Sequence, residues 1–227
     1  MDASSSSEQA APSTTEQAPP ADWRWNPHNG PLPVIDYRTP RPDWRAIASI
    51  AVNDHRAIQH TAEFAALLTI AEVAQVRTVL EIGTFAGGTA WAFAQLPTVT
   101  RVITVDADPQ PTAAVTLNQT DGKAVLVNGH SAASATRHEV VRLLNGTPPD
   151  LLFIDAAHDL VSVTDDWQIY GPMVRPGGLV AFHDVEEHRG RPEVEVHHLW
   201  QRVHKAYPSV KITAAPGEWA GIGLIWR

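Results

Sequence analysis

Five short apolar runs set what this chain can become. RTVLEIG, RVITVDAD, KAVLVNG, DLLFIDA and GGLVAFHDV fall between residues 77 and 185, each dense in Val, Ile, Leu or Phe. The segments between them, GGTAWAFAQL, DPQPTAAVTLNQT, SAASATRHEVVRLLN and VSVTDDWQIYGPMV, read as helices. A further one, TAEFAALLTIAEVAQ, precedes them with Phe64, Leu67, Leu68 and Ala71 at helical spacing. Apolar strands alternating with helices predict a doubly wound α/β fold, a parallel sheet covered on both faces. Ligands in such sheets bind beyond the C-terminal strand ends. The tail differs. HHLWQRVHKAYP reads as a helix, and VKITAA and GIGLIWR read as strands joined by PGEWA. That link is too short for a crossover helix, so the last two strands should be antiparallel.

The bulk properties exclude several classes. The 227 residues suffice for one domain with a full core. There is no cysteine, hence no disulfide framework, zinc–thiolate site or cysteine nucleophile. A net charge of −8 counts against a nucleic-acid surface. No apolar run approaches a membrane span, and the N-terminus lacks the basic start and apolar stretch of a secretory signal, so a cytoplasmic protein is expected. Residues 1–21 are rich in Ser, Ala, Pro, Glu and Gln and are expected to be disordered. Residues 22–56 hold several prolines together with Trp23, Trp25, Tyr37 and Trp44. They are expected to form an arm packing on the domain or on a neighbouring subunit. The domain itself is placed at 57–227.

The chemistry concentrates where strands end. VLEIGTFAGGTA puts Glu81, Gly83, Thr84, Gly87 and Gly88 at a strand-to-helix turn, where glycines let a ligand approach the backbone. A bulky residue at Gly83 is therefore expected to abolish ligand binding in a chain that still folds. The spacing is not the dinucleotide G-x-G-x-x-G. About twenty residues on, Asp106 ends a strand at the position that binds a ribose diol in doubly wound folds. Asp155, His158 and the pair His183–Asp184 form a second group of acids and imidazoles. EEHRGRPEVEVHH adds Glu186, Glu187, His188, His197 and His198, either a second metal cluster or a solvated loop leading into a helix. Trp167 and Trp200 fall on helical faces as core residues.

These stretches resemble the class I S-adenosylmethionine-dependent methyltransferases over residues 57–227. The carriers are IQHTAEFAALL, VLEIGTFAGGTAWAFA, VITVDAD, NGHSA, LLFIDAAHDLVSVTDDWQIYGPMVRPGGLVAFHDV and the closing hairpin. The long stretch is similar to small-molecule O-methyltransferases, and more distantly to catechol and antibiotic-sugar enzymes, many of them magnesium-dependent. The resemblance implies a seven-stranded, mostly parallel sheet with an antiparallel last strand. It implies that Glu81, Gly83, Thr84, Gly87 and Gly88 line the methionine half of S-adenosylmethionine. Asp106 would hold the ribose hydroxyls, Ala107 and Ser131 would lie near the adenine, and Gln59 would close over the cofactor. His130 stands where relatives commonly carry aspartate. Asp155 would reach both the cofactor and the reaction centre. It would meet Asp184 and His183 at adjacent strand ends, a set for Mg2+ or another divalent cation. His158, three residues beyond Asp155, would be the general base, and Trp219 would shape the acceptor pocket. The implied activity is O-methylation of a small hydroxylated acceptor, a natural-product sugar or a phenol, by a homo-oligomer. An NAD-dependent oxidoreductase and a non-catalytic cofactor-binding protein of the same fold are the alternatives.

Overall fold

Seven strands form one sheet: β1 (Thr78–Ile82), β2 (Arg101–Asp106), β3 (Ala124–Asn128), β4 (Leu151–Ile154), β5 (Leu179–Phe182), β6 (Ser209–Ile212) and β7 (Ile222–Trp226). This computed structural model of the chain describes residues 42–214 and 220–227. The expected tail, the arm up to residue 41 with Trp23, Trp25 and Tyr37, and Trp219 lie outside the described residues. The strand order is β3-β2-β1-β4-β5-β7-β6. The first five strands are parallel, and β7 runs antiparallel between β5 and β6. The doubly wound, seven-stranded sheet with its antiparallel last strand is as expected.

Seven α-helices lie among the described residues: α1 (Trp44–Asn53), α2 (Thr61–Val73), α3 (Gly88–Ala94), α4 (Ala113–Leu117), α5 (Ser134–Leu144), α6 (Leu160–Tyr170) and α7 (Val196–Val203). Successive strand residues point to opposite faces, and both faces are buried. Val79, Phe153, Ala181 and Leu224 pack with α1, α2 and α3 residues, among them Ala48, Phe64 and Phe93. Leu80, Ile154, Phe182 and Ile225 pack on the other face with Val140, Tyr170 and Trp200. This is why β4 and β5 read as unbroken apolar runs. Trp167 meets Phe182 edge-on and Trp200 is buried, so both are core residues.

Part of the segment read as an irregular arm is regular. Its prolines stop at Pro42, and Asp43 caps α1 by accepting the Arg45 and Ala46 amides. Ala48 and Ala51 are buried against the domain, and the Trp44 indole donates to Glu72 Oε2 at 2.8 Å. Gly88 belongs to this packing. A Cβ there would lie 2.8 Å from the carbonyl oxygens of Ala51 and His55. Near the start of α2, buried Glu63 accepts the Ala214 amide at 2.8 Å and the Gly221 amide at 2.9 Å, one with each carboxylate oxygen.

Candidate active site

All the parallel strands point their C-terminal ends at one rim, and the loops leaving them enclose a cavity of about 550 Å³. That volume lies within the range of small-molecule sites. Gly83, Thr84, Asp106, Ala107, Ser131, Asp155, His158, His183 and Asp184 all line it. Four predicted residues do not. Gln59 stands behind the wall, donating to Asp155 Oδ2 at 2.6 Å. Glu81 is wholly buried beneath it. Gly87 begins α3 with φ 86°, and Gly88 faces α1.

Gly83 is required by protein rather than by a ligand. Its φ is 106°, and a Cβ would sit 1.9 Å from the Asp155 carbonyl oxygen. The backbone after β1 and the backbone after β4 touch here. The expectation that a bulky residue at Gly83 leaves the chain folded is therefore corrected. Gly83→Ala combines left-handed strain with a clash against main chain, and is expected to destabilise the protein by about 3 kcal/mol or more. Urea unfolding measures this; an unchanged midpoint would refute the contact.

Asp106 ties the glycine turn to β2. Its Oδ2 accepts the Thr84 amide at 2.9 Å and the Phe85 amide at 2.7 Å, and its Oδ1 accepts the Asp108 amide at 2.8 Å. Phe85 was not singled out in the sequence. It has φ 48°, lines the cavity and carries the Arg56 guanidinium 5.7 Å from its ring centroid.

Glu81 has one oxygen on the Thr104 hydroxyl at 2.5 Å and the other unpaired. Burial pushes its carboxyl up to about 8 despite that hydrogen bond. In the unfolded chain it titrates near 4.5. Its folded pKa is raised, so its contribution is most favourable below about 4.5 and is lost as pH rises through about 8. Glu81→Gln should therefore gain stability over the wild type as pH rises across that window, by on the order of 5 kcal/mol at the top. Thermal melts of ligand-free protein at graded pH test this; parallel pH curves would reject it.

The pairing of Ile154 with Phe182 brings Asp155 and the pair His183–Asp184 to adjacent strand ends. His158 Nδ1 is 3.0 Å from Asp184 Oδ2. His183 Nδ1 is 3.1 Å from Asp155 Oδ1 and 3.5 Å from Asp184 Oδ2, yet neither of its nitrogens makes an aligned hydrogen bond. Asp184 has φ 59°, a left-handed conformation that Asp and Asn tolerate better than most residues. Burial works against its charge, but the adjacent His158 and His183 imidazoles overcome this and hold the carboxyl far below the usual range. The Asp184 hydrogen bond raises His158 above the ordinary histidine value. Burial opposes charge on His183, and Asp155 and Asp184 outweigh it, pushing the imidazole up to about 10.

Asp155, His158 and Asp184 offer ligand atoms within 4.8 Å of one another, a donor set compatible with a divalent cation. The third member is thus His158, where the sequence pointed to His183. Glu186, Glu187, His188, His197 and His198 do not converge as a metal set among the described residues. His188 and Arg191 do line the cavity. Six aspartates also line it: Asp106, Asp108, Asp155, Asp165, Asp166 and Asp184. Such an acidic lining suits a cationic ligand.

With this sheet order and this rim, the chain has the class I methyltransferase fold. Residues 80–185 match the family model described as a methyltransferase domain, which bears out the resemblance read from the sequence. The particular relatives are distant. An O-methyltransferase of Bacillus cereus, solved with S-adenosylhomocysteine, superposes with a TM-score of 0.58 at 15% identity, over 85% of this chain and 94% of that one. TomG of Streptomyces achromogenes, an O-methyltransferase of tomaymycin synthesis solved with S-adenosylmethionine, gives 0.57 at 19%, over 84% and 92%. MycE, a methyltransferase of mycinamycin biosynthesis solved with magnesium and S-adenosylhomocysteine, gives 0.55 at 16%, over 82% and 55%. An uncharacterized protein of Acanthamoeba polyphaga mimivirus is 28% identical over 124 residues, and the match spans about half of each chain, 52% here and 55% there. Among the described residues, no helix is long and apolar enough to cross a membrane.

Proposed function

We propose that this chain is an S-adenosylmethionine-dependent O-methyltransferase acting on a small hydroxylated acceptor, a natural-product sugar or a phenol. One observation carries the reading. A single acidic cavity holds a diol-binding acid, Asp106, and also the triad Asp155, His158 and Asp184 at the ends of β4 and β5. The ligands of the B. cereus enzyme and of TomG, and the natural products named for TomG and MycE, support it. The antiparallel β7 between β5 and β6 departs from the sheet order of dinucleotide-binding folds, which counts against an NAD-dependent oxidoreductase.

The cofactor supplies a methyl group on a sulfonium centre. Asp106 holds the ribose hydroxyls, and the turn from Gly83 to Phe85, fixed by Asp106 and Asp155, shapes the wall beside it. His158 serves as general base. With its Nδ1–H donated to Asp184, Nε2 keeps its lone pair for the acceptor hydroxyl proton. Gln59 holds Asp155 at the same rim. A divalent cation would be held by the carboxylates of Asp155 and Asp184, beside His158, and would acidify a bound hydroxyl.

The test has two arms. Calorimetry with S-adenosylhomocysteine should give a one-to-one isotherm, and a panel of sugars and phenols incubated with S-adenosylmethionine should yield an O-methyl ether by mass spectrometry. Absence of binding would overturn the reading. Chelation should then suppress turnover and Mg2+ should restore it. Full activity in metal-free protein would instead assign the proton transfer to the His158–Asp184 pair alone.

A further inference from the structure

Asp166 is a buried acid that the chemistry above leaves unused. It lies on α6 and is 2% exposed, yet it lines the cavity. Among the described residues it has no ion pair. Burial raises its carboxyl above the ordinary aspartate value, although the Ser131 side chain and the His130 imidazole beside it favour the charged form. A carboxylate buried at such a position is costly unless donors complete its shell.

The surroundings are built. Tyr170, one helical turn further along α6, is fully buried and donates its hydroxyl to the Ser131 carbonyl at 2.6 Å. Two residues on one face of α6 thus grip Ser131, one through its carbonyl and one through its side chain. Ser131 belongs to the loop after β3, and Asp106 ends β2. The two strands pair with Asp106 opposite Asn128, and the Gly129 amide donates to the Asp106 carbonyl at 2.8 Å. A base attached to a ribose held by Asp106 has the Gly129–Ala132 loop and α6 as its neighbouring wall, because both line the same cavity.

We propose that Asp166, positioned by Ser131, reads the purine edge of the cofactor by accepting a hydrogen bond from the adenine amino group. This rests on the S-adenosylmethionine reading above. A carboxylate is acceptor-only when ionised. It favours an amine at the purine 6-position and rejects an oxo group there, which would set two acceptors against each other. Sites built around a buried polar group discriminate in this way because the mismatch leaves that group unpaired.

The experiment measures binding, with no turnover involved. Titration calorimetry compares S-adenosylhomocysteine with S-inosylhomocysteine, in which an oxo group replaces the adenine amine. The wild-type protein should prefer the adenosyl compound by about tenfold or more. In Asp166→Asn an amide can donate to the oxo group, and the preference should fall to near parity. The ratio is read within one protein, so a general loss of affinity does not imitate it. Should Asp166→Asn fail to fold, Ser131→Ala removes the hydroxyl that holds the carboxylate and should also shrink the ratio. Equal wild-type affinities, or an unchanged ratio in the variant, would overturn the assignment while leaving the cofactor reading intact. Binding of neither compound would overturn the cofactor reading itself.

Discussion

His158→Ala should lower turnover by roughly a hundredfold or more and leave the affinity for S-adenosylhomocysteine unchanged. A positioned base contributes on this scale, and His158 is placed for it. It lies on the loop leaving β4, with Nδ1 held by Asp184 at 3.0 Å. Asp184→Asn is the companion variant. Asn accepts the left-handed backbone at this position, so the substitution removes the charge while keeping the turn. It should slow turnover as well, since the amide no longer fixes which imidazole nitrogen carries the proton. Single-turnover measurements with saturating donor read the chemical step directly. Near-normal rates for His158→Ala under those conditions would exclude it as the base.

Asp106→Ala should weaken S-adenosylhomocysteine binding by roughly a hundredfold or more. Hydrogen bonds to a charged group are worth about 1.5–3 kcal/mol each, and a diol offers two. The carboxylate also anchors the amides of Thr84, Phe85 and Asp108. Its removal releases the turn that shapes the cavity wall as well as the ribose contact. Calorimetry gives the affinity, and a melting curve without ligand gives the cost of the freed turn. An affinity within a few-fold of the wild type would mean that the diol binds elsewhere.

The two-sided burial that makes β4 and β5 unbroken apolar runs is local information, so the sheet could be read from the chain. The same holds for Asp155 and Asp184, which interrupt those runs at their ends. Gly83 and Gly88 were legible as glycines at a turn, but what each accommodates was not. One meets the backbone of Asp155 and the other the end of α1, contacts set by tertiary packing. Gln59 shows the same limit, since its partner lies 96 residues away. α1 was hidden by the prolines before it, although Ala48 and Ala51 carry the helical spacing of a buried face. Asp166 did leave a signal: Val163, Asp166 and Tyr170 share the buried face of α6. A charge on an inward stripe marks either a buried partner or a ligand.

Glu63 has a consequence for how the last two strands are held. Its two oxygens seize the main chain on either side of residues 215–219, at Ala214 and at Gly221. Both footings are gripped through amides that every residue except proline provides. A single carboxylate of the helix layer thus works as a clasp joining the chain just after β6 to the chain just before β7, and its hold is indifferent to the side chains at either footing.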